Sequence, residues 1–112
     1  MIMIEIDYTR ERRHLRLEVT GHAMTASIGQ DVVCASVSSL MYGLCAAVAA
    51  IPEGRIVEGH MVCKPGHADV DAYCIDDKTS KRVEHYMEPV LCGLRKIAKE
   101  YPLAVKMTEV TS

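Results

Sequence analysis

There is no tryptophan and no phenylalanine in the 112 residues, and aromatic residues make up only 4% of the chain. A core must therefore be filled by Leu, Val, Ile, Met and Ala. At 112 residues one modest core and one domain, spanning 1–112, are expected. A hydrophobic share of 49% excludes disorder. Basic runs are also missing: 13 Lys and Arg stand against 15 Asp and Glu, a formal charge of −2. A nucleic-acid surface needs clustered Lys and Arg, so direct binding to DNA or RNA is not expected. No uninterrupted apolar stretch approaches the roughly 18 residues of a membrane span. The longest small-apolar run is Cys45 to Ile51. The opening "MIMIEIDYTR" lacks the charged-then-apolar order of a signal peptide. The expectation is a cytoplasmic protein without membrane contact. Five cysteines, an odd number, fit reduced thiols better than a disulfide framework.

What is present is periodicity. Ile2, Ile4, Ile6 and Tyr8 alternate with polar residues, the mark of a half-buried strand. After the polar turn "TRERR", Leu15, Leu17 and Val19 alternate in the same way, and the two segments should pair as a hairpin. From Asp31 the period changes. Val33, Val37, Leu40, Leu44, Val48 and Ile51 form one stripe of a helix, with Asp31 as its expected N-cap and Pro52 and Gly54 as its stop. Two more strands are expected at 55–63 and 67–74, joined by the turn "KPG". Val83, Met87, Val90, Leu94, Ile97 and Tyr101 then mark a second helix with Pro89 inside it, and Leu103, Val105 and Met107 a last strand. The order is ββαββαβ. One-sided strands and two amphipathic helices predict an α+β two-layer sandwich, a mostly antiparallel sheet with both helices on one face.

Chemistry concentrates in "VTGHAMTASIGQDVVCASVSSL" at 19–40. With Asp31 as N-cap, Cys34 falls in the first helical turn. There, free N–H groups and the helix dipole favour a thiolate and can hold an oxyanion, while Asp31 opposes the thiolate. Cys34 lies about 100° around the helix from Val33, off the core stripe. Free cysteines are more often small core residues, and the position argues partly against that. Ser38 shares the azimuth of Cys34 one turn on, although a helix serine more often bonds a backbone carbonyl. His22 follows Gly21 directly after the second strand. By position it reads equally as an exposed loop residue. Beside Cys34 it gains a role, since an imidazole that takes the thiol proton and returns it to a leaving amine completes a nucleophilic pair. The segment between them is small and polar. Met24, Thr25, Ala26, Ser27, Ile28 and Gly29 are expected to form a flap.

"GHA" at 21–23, followed by "GQDVVCASVS" at 29–38, resembles the motif of the Prp family of bacterial ribosomal-processing cysteine proteases. The departure is Ser36, where alanine is commoner. The resemblance runs over nearly the whole chain. It implies a small cytoplasmic enzyme, commonly a homodimer, with a mixed sheet and helices and no cofactor. It further implies removal of a short N-terminal extension from a large-subunit ribosomal protein precursor, in support of ribosome assembly. Carried over by motif, Cys34 is the nucleophile and His22 the general base. Gly21, Asp31 and Ser38 are supporting positions, with Asp31 capping the helix, orienting His22, or both. The competing reading is a non-catalytic binding module or assembly factor with the same fold.

Other groupings point elsewhere. "HMVCKPGH" spaces His60, Cys63 and His67 like metal ligands. In a strand, however, His60 and Cys63 face opposite ways and a fourth ligand is lacking, so no metal is expected. Cys45, Cys74 and Cys92 read as core thiols, and His14 and His85 as surface residues. Asp69 and Asp71 read as a solvated strand face. The small residues of "CAAVAAIP" suit close helix packing, within the fold or in a dimer.

Overall fold

The computed structural model describes residues 1–21 and 28–111. The alternating segments form β1 (Ile2–Thr9) and β2 (His14–Thr20), followed by α1 (Ile28–Ala49). Then come β3 (Ile56–Lys64), β4 (His67–Cys74), α2 (Asp77–Glu100) and β5 (Val105–Thr111). The order is the expected ββαββαβ. One five-stranded sheet runs β3-β4-β2-β1-β5. Its neighbours are antiparallel except β1 and β5, which pair in parallel.

Register explains the core. Ile4 pairs with Val19 and Ile6 with Leu17, while Leu17 also faces Val70 and Leu15 faces Ala72. These residues form continuous apolar rows across three strands, all nearly inaccessible to water. A one-residue slip would turn every row to solvent, so the pattern fixes the pairing. Two helices cover this face, α1 through Val33, Val37, Met41, Leu44 and Val48, and α2 through Val83, Met87, Val90 and Leu94. Asp76 caps α2 by accepting a hydrogen bond from the Thr79 N–H at 2.8 Å. Hydrogen bonding from the Thr79 side chain, and then from this N–H, holds its carboxyl below the usual range. The helix continues through Pro89 to Glu100. Ile4, with 0% exposure, reports on core packing. Ile4→Val should lower the unfolding free energy by about 0.5–1.5 kcal/mol in urea titration.

Several expectations are corrected. α1 begins at Ile28, so Asp31 is its fourth residue and not its cap, and Ile28 and Gly29 belong to the helix and not to a flap. Nothing in "IGQ" forbids helix, and an acidic residue type suits a first turn. The last strand starts at Val105 and not Leu103, because Ala104 and Val105 both donate to the Tyr101 carbonyl in a turn that leaves Leu103 90% exposed. α1 also carries a stretch, Val32–Ala49, long and apolar enough to cross a membrane by length and composition alone. Interrupting serines, glycine and tyrosine hide it from a search for unbroken runs. Here the stretch packs on the sheet through the stripe just named. β3 is an edge strand, exposed along most of its length and broken by an irregularity between Ile56 and Glu58.

Candidate active site

Cys34 projects from the second turn of α1, half-buried, against the edge of the core. Counted from Ile28 it is the seventh helical residue. The free N–H groups lie at the helix start, up to residue 30, a turn earlier, so the expected oxyanion hole from the helix end does not lie at Cys34. The dipole's influence also falls off within the first turn, which weakens that source of thiolate stabilisation.

The thiol opens onto a cleft of about 40 Å³. One wall is α1, with Cys34, Ser38 and Tyr42; the floor is Ile2, Val19, Val37, Met41 and Ala68. The other wall is the β3–β4 hairpin, with Cys63, Lys64, Gly66 and His67. The floor is apolar because it is the end of the core rows. The rim is polar because it is made of a turn and a helix shoulder. No acidic side chain lines the cleft among the described residues.

Gly21 closes the end nearest β2. Its φ is +94°, a conformation that favours glycine, and an added Cβ would sit 2.3 Å from the Met1 carbonyl oxygen. Its N–H donates to the Gly66 carbonyl at 3.0 Å, tying the end of β2 to the hairpin turn. The chain is thus held firmly at the residue that precedes His22. His22 itself, and Met24, Thr25, Ala26 and Ser27 of the expected flap, lie outside the described residues, as does the side chain of Asp31. Cys34, Ser38 and Gly21 all line this one cleft.

The opposite sheet face is not the solvated surface read from the sequence. Asp69 is 1% exposed. Arg16 grips it with two bonds, Nε to Oδ1 at 3.3 Å and Nη2 to Oδ2 at 2.9 Å, and His60 Nε2 lies 2.8 Å from Oδ2. His14, expected at the surface, is instead stacked on Tyr73 and bonded to Asp71. Cross-strand neighbours cover these groups, which alternation along a single strand cannot show. Burial pushes the Asp69 carboxyl up, but Arg16 and His60 outweigh it and hold the pKa below the usual range. A depressed folded pKa means stability present above the unfolded value and lost as pH falls through the folded one. Below about pH 4, wild type should therefore lose stability faster than Asp69→Asn, as read from urea midpoints between pH 6 and 2.

His60, Cys63 and His67 do not converge as metal ligands. The described group whose donor atoms do lie within 4.8 Å of one another is Glu18, His67 and Asp69. Arg16 Nη2 already stands 3.4 Å from Glu18 and 2.9 Å from Asp69, a built-in cation where a metal would bind. Cys45 and Cys74 are buried as expected, whereas Cys92 is exposed on α2. The Cys63 thiol, weighed from the sequence only as a metal ligand, neighbours that of Cys45. Burial, with Cys63 adding, pushes Cys45 up to about 12.

A half-buried thiol at the mouth of an open cleft, on an α+β scaffold that anchors the chain just ahead of a histidine, defines a candidate thiol hydrolase. Residues 1–106 match the model of the cysteine protease Prp family, and the chain belongs to that family. Among solved structures it is similar to SMU.848 from Streptococcus mutans, at 27% identity and a TM-score of 0.76 over 100% of this chain and 96% of that one. The essential ribosomal processing protease Prp from S. aureus has the same fold. With a covalently linked product peptide it aligns at 22% identity and TM-score 0.73, and with a substrate peptide at 21% and 0.70. Each alignment covers 98% of this chain and 100% of the other. Comparison with curated proteins finds no significant match.

Proposed function

We propose that this protein is a Cys–His endopeptidase that removes the N-terminal extension of a large-subunit ribosomal protein precursor in the bacterial cytoplasm. The observation that carries the reading is the Cys34 cleft, apolar in its floor and bounded by Gly21, the residue before His22. The apolar floor suits apolar side chains of an extended peptide lying across the cleft mouth. Cys34 Sγ attacks the scissile carbonyl as His22 takes the thiol proton. His22 then protonates the departing amine, and water activated by His22 hydrolyses the thioester. Family membership and the ribosomal processing role of the S. aureus relative support the substrate. Asp31 is proposed to act through His22, and Ser38 to line the cleft.

A homodimer is part of the same reading. The outward face of α1, with Val32, Tyr42 and Ala46 exposed, carries no charge, which suits a second copy. Light scattering should give twice the 12.4 kDa of one chain.

The test is incubation of the extended precursor with the protein, followed by mass spectrometry of the products. Trimming at one bond, abolished by prior iodoacetamide labelling of Cys34, is the expected result. An intact precursor bound by the protein would favour a non-catalytic assembly factor instead.

A further inference from the structure

Cys63 pairs across the sheet with Ala68, a buried residue of the helix-covered face, so its side chain projects toward α1. Cys45 is buried on α1, which packs on β3, and its thiol neighbours that of Cys63. Cys63 is itself exposed and lines the Cys34 cleft. The other pairings with these two along shared elements are too long. Cys34 and Cys45 are eleven residues apart on one helix, about 16 Å, well beyond the ~7 Å Cα limit of a disulfide. Cys63 and Cys74 are six rows apart in the β3–β4 ladder, about 20 Å.

We propose that Cys45 and Cys63 form a redox-modification site, in which a hydroperoxide oxidises Cys63 and Cys45 closes a disulfide that ties α1 to β3 beside the Cys34 cleft. The steps balance. The exposed Cys63 sulfur attacks the peroxide O–O bond, giving a sulfenic acid and one molecule of water from hydrogen peroxide. The Cys45 sulfur then attacks the sulfenic sulfur, its proton leaving with the hydroxyl as a second water. The peroxide is reduced and the two thiols are oxidised by two electrons. Burial protects Cys45 from direct oxidation, so Cys63 reacts first and Cys45 resolves it.

The experiment treats the native protein with hydrogen peroxide, quenches with N-ethylmaleimide and digests it without reduction. Trypsin leaves Cys34 and Cys45 on one peptide, so chymotrypsin is added. Its cuts after Tyr42 and Tyr73 separate Cys34 from Cys45 and Cys63 from Cys74. The expected result is a Cys45–Cys63 linked peptide that disappears with dithiothreitol. It should be absent from both Cys63→Ser and Cys45→Ala, provided circular dichroism shows each variant folded. A Cys34–Cys63 link overturns the proposal, as does sulfinic acid on Cys63 with Cys45 still alkylatable.

The effect on the cleft rests on the proposed protease function and is read separately. Oxidised protein in which Cys34 remains alkylatable should trim the precursor several-fold more slowly than after dithiothreitol. Equal rates with the link present overturn that coupling. Absence of trimming in both samples overturns the protease reading and leaves the linked peptide standing.

Discussion

Cys34→Ala is expected to lower kcat/KM for precursor trimming at least about 10³-fold, because it removes the nucleophile and leaves every wall of the cleft in place. Alanine is the best helix former, and Cys34 sits inside α1, half-buried against the core. Stability should therefore stay within about 1 kcal/mol of wild type. Loss of activity is then a chemical effect and not a folding one. Substrate binding should survive, since Tyr42, Met41 and the hairpin wall are untouched. His22→Ala should also be severely impaired, but its residual rate should climb with pH as hydroxide replaces the imidazole in deprotonating the thiol. The measurements are product formation by mass spectrometry and urea unfolding of the same samples. Cys34→Ala retaining a tenth of wild-type activity would exclude the thiol as nucleophile.

Gly21→Ala should be nearly as damaging by another route. Holding a non-glycine residue at φ +94° costs about 1–3 kcal/mol, and the new Cβ would lie 2.3 Å from the Met1 carbonyl oxygen. That oxygen is backbone and cannot swing aside as a side chain would. Together these should remove about 3 kcal/mol or more, a large share of an ordinary domain's ~5–15 kcal/mol. Relief requires the β2 end to move, loosening the bond from Gly21 N–H to the Gly66 carbonyl and shifting the start of the segment that carries His22. Gly54→Ala supplies the comparison, because its φ is +88° and its Cβ would meet nothing within 4 Å. It should show backbone strain alone and full activity. If the two variants are equally stable and equally active, the clash and the anchoring role are both wrong.

Much of this architecture was legible because β1, β2 and β4 alternate without interruption. Once Leu15, Leu17 and Val19 are assigned to one face, the facing rows on β1 and β4 follow. The parallel pairing of β5 with β1 was not legible, since nothing along 105–111 names its partner. The start of α1 was missed because "IGQ" offers no apolar period before Val33. That error placed Cys34 among free N–H groups, which it does not have. The cleft was only half legible. Cys34, Ser38 and Gly21 follow from the motif, but Cys63 and Lys64 arrive from a hairpin more than twenty residues away in sequence, and only tertiary folding brings them to Cys34. Asp69 was assigned to the correct face and the wrong environment, because its cover comes from Arg16 and His60 on the two flanking strands.

The break in β3 between Ile56 and Glu58 bears on what happens when many copies meet. An edge strand offers unpaired N–H and carbonyl groups to any passing chain, and this one exposes Val57 and Met61. A straight edge of that composition would template the growth of one sheet onto the next, the first step of aggregation. The irregularity interrupts the ladder near the start of the strand and twists the backbone away from flatness. Charged Glu58 and Lys64, both exposed, flank the remainder. A chain with so apolar a first helix thus carries protection against self-association of its sheets in the geometry of its most exposed strand.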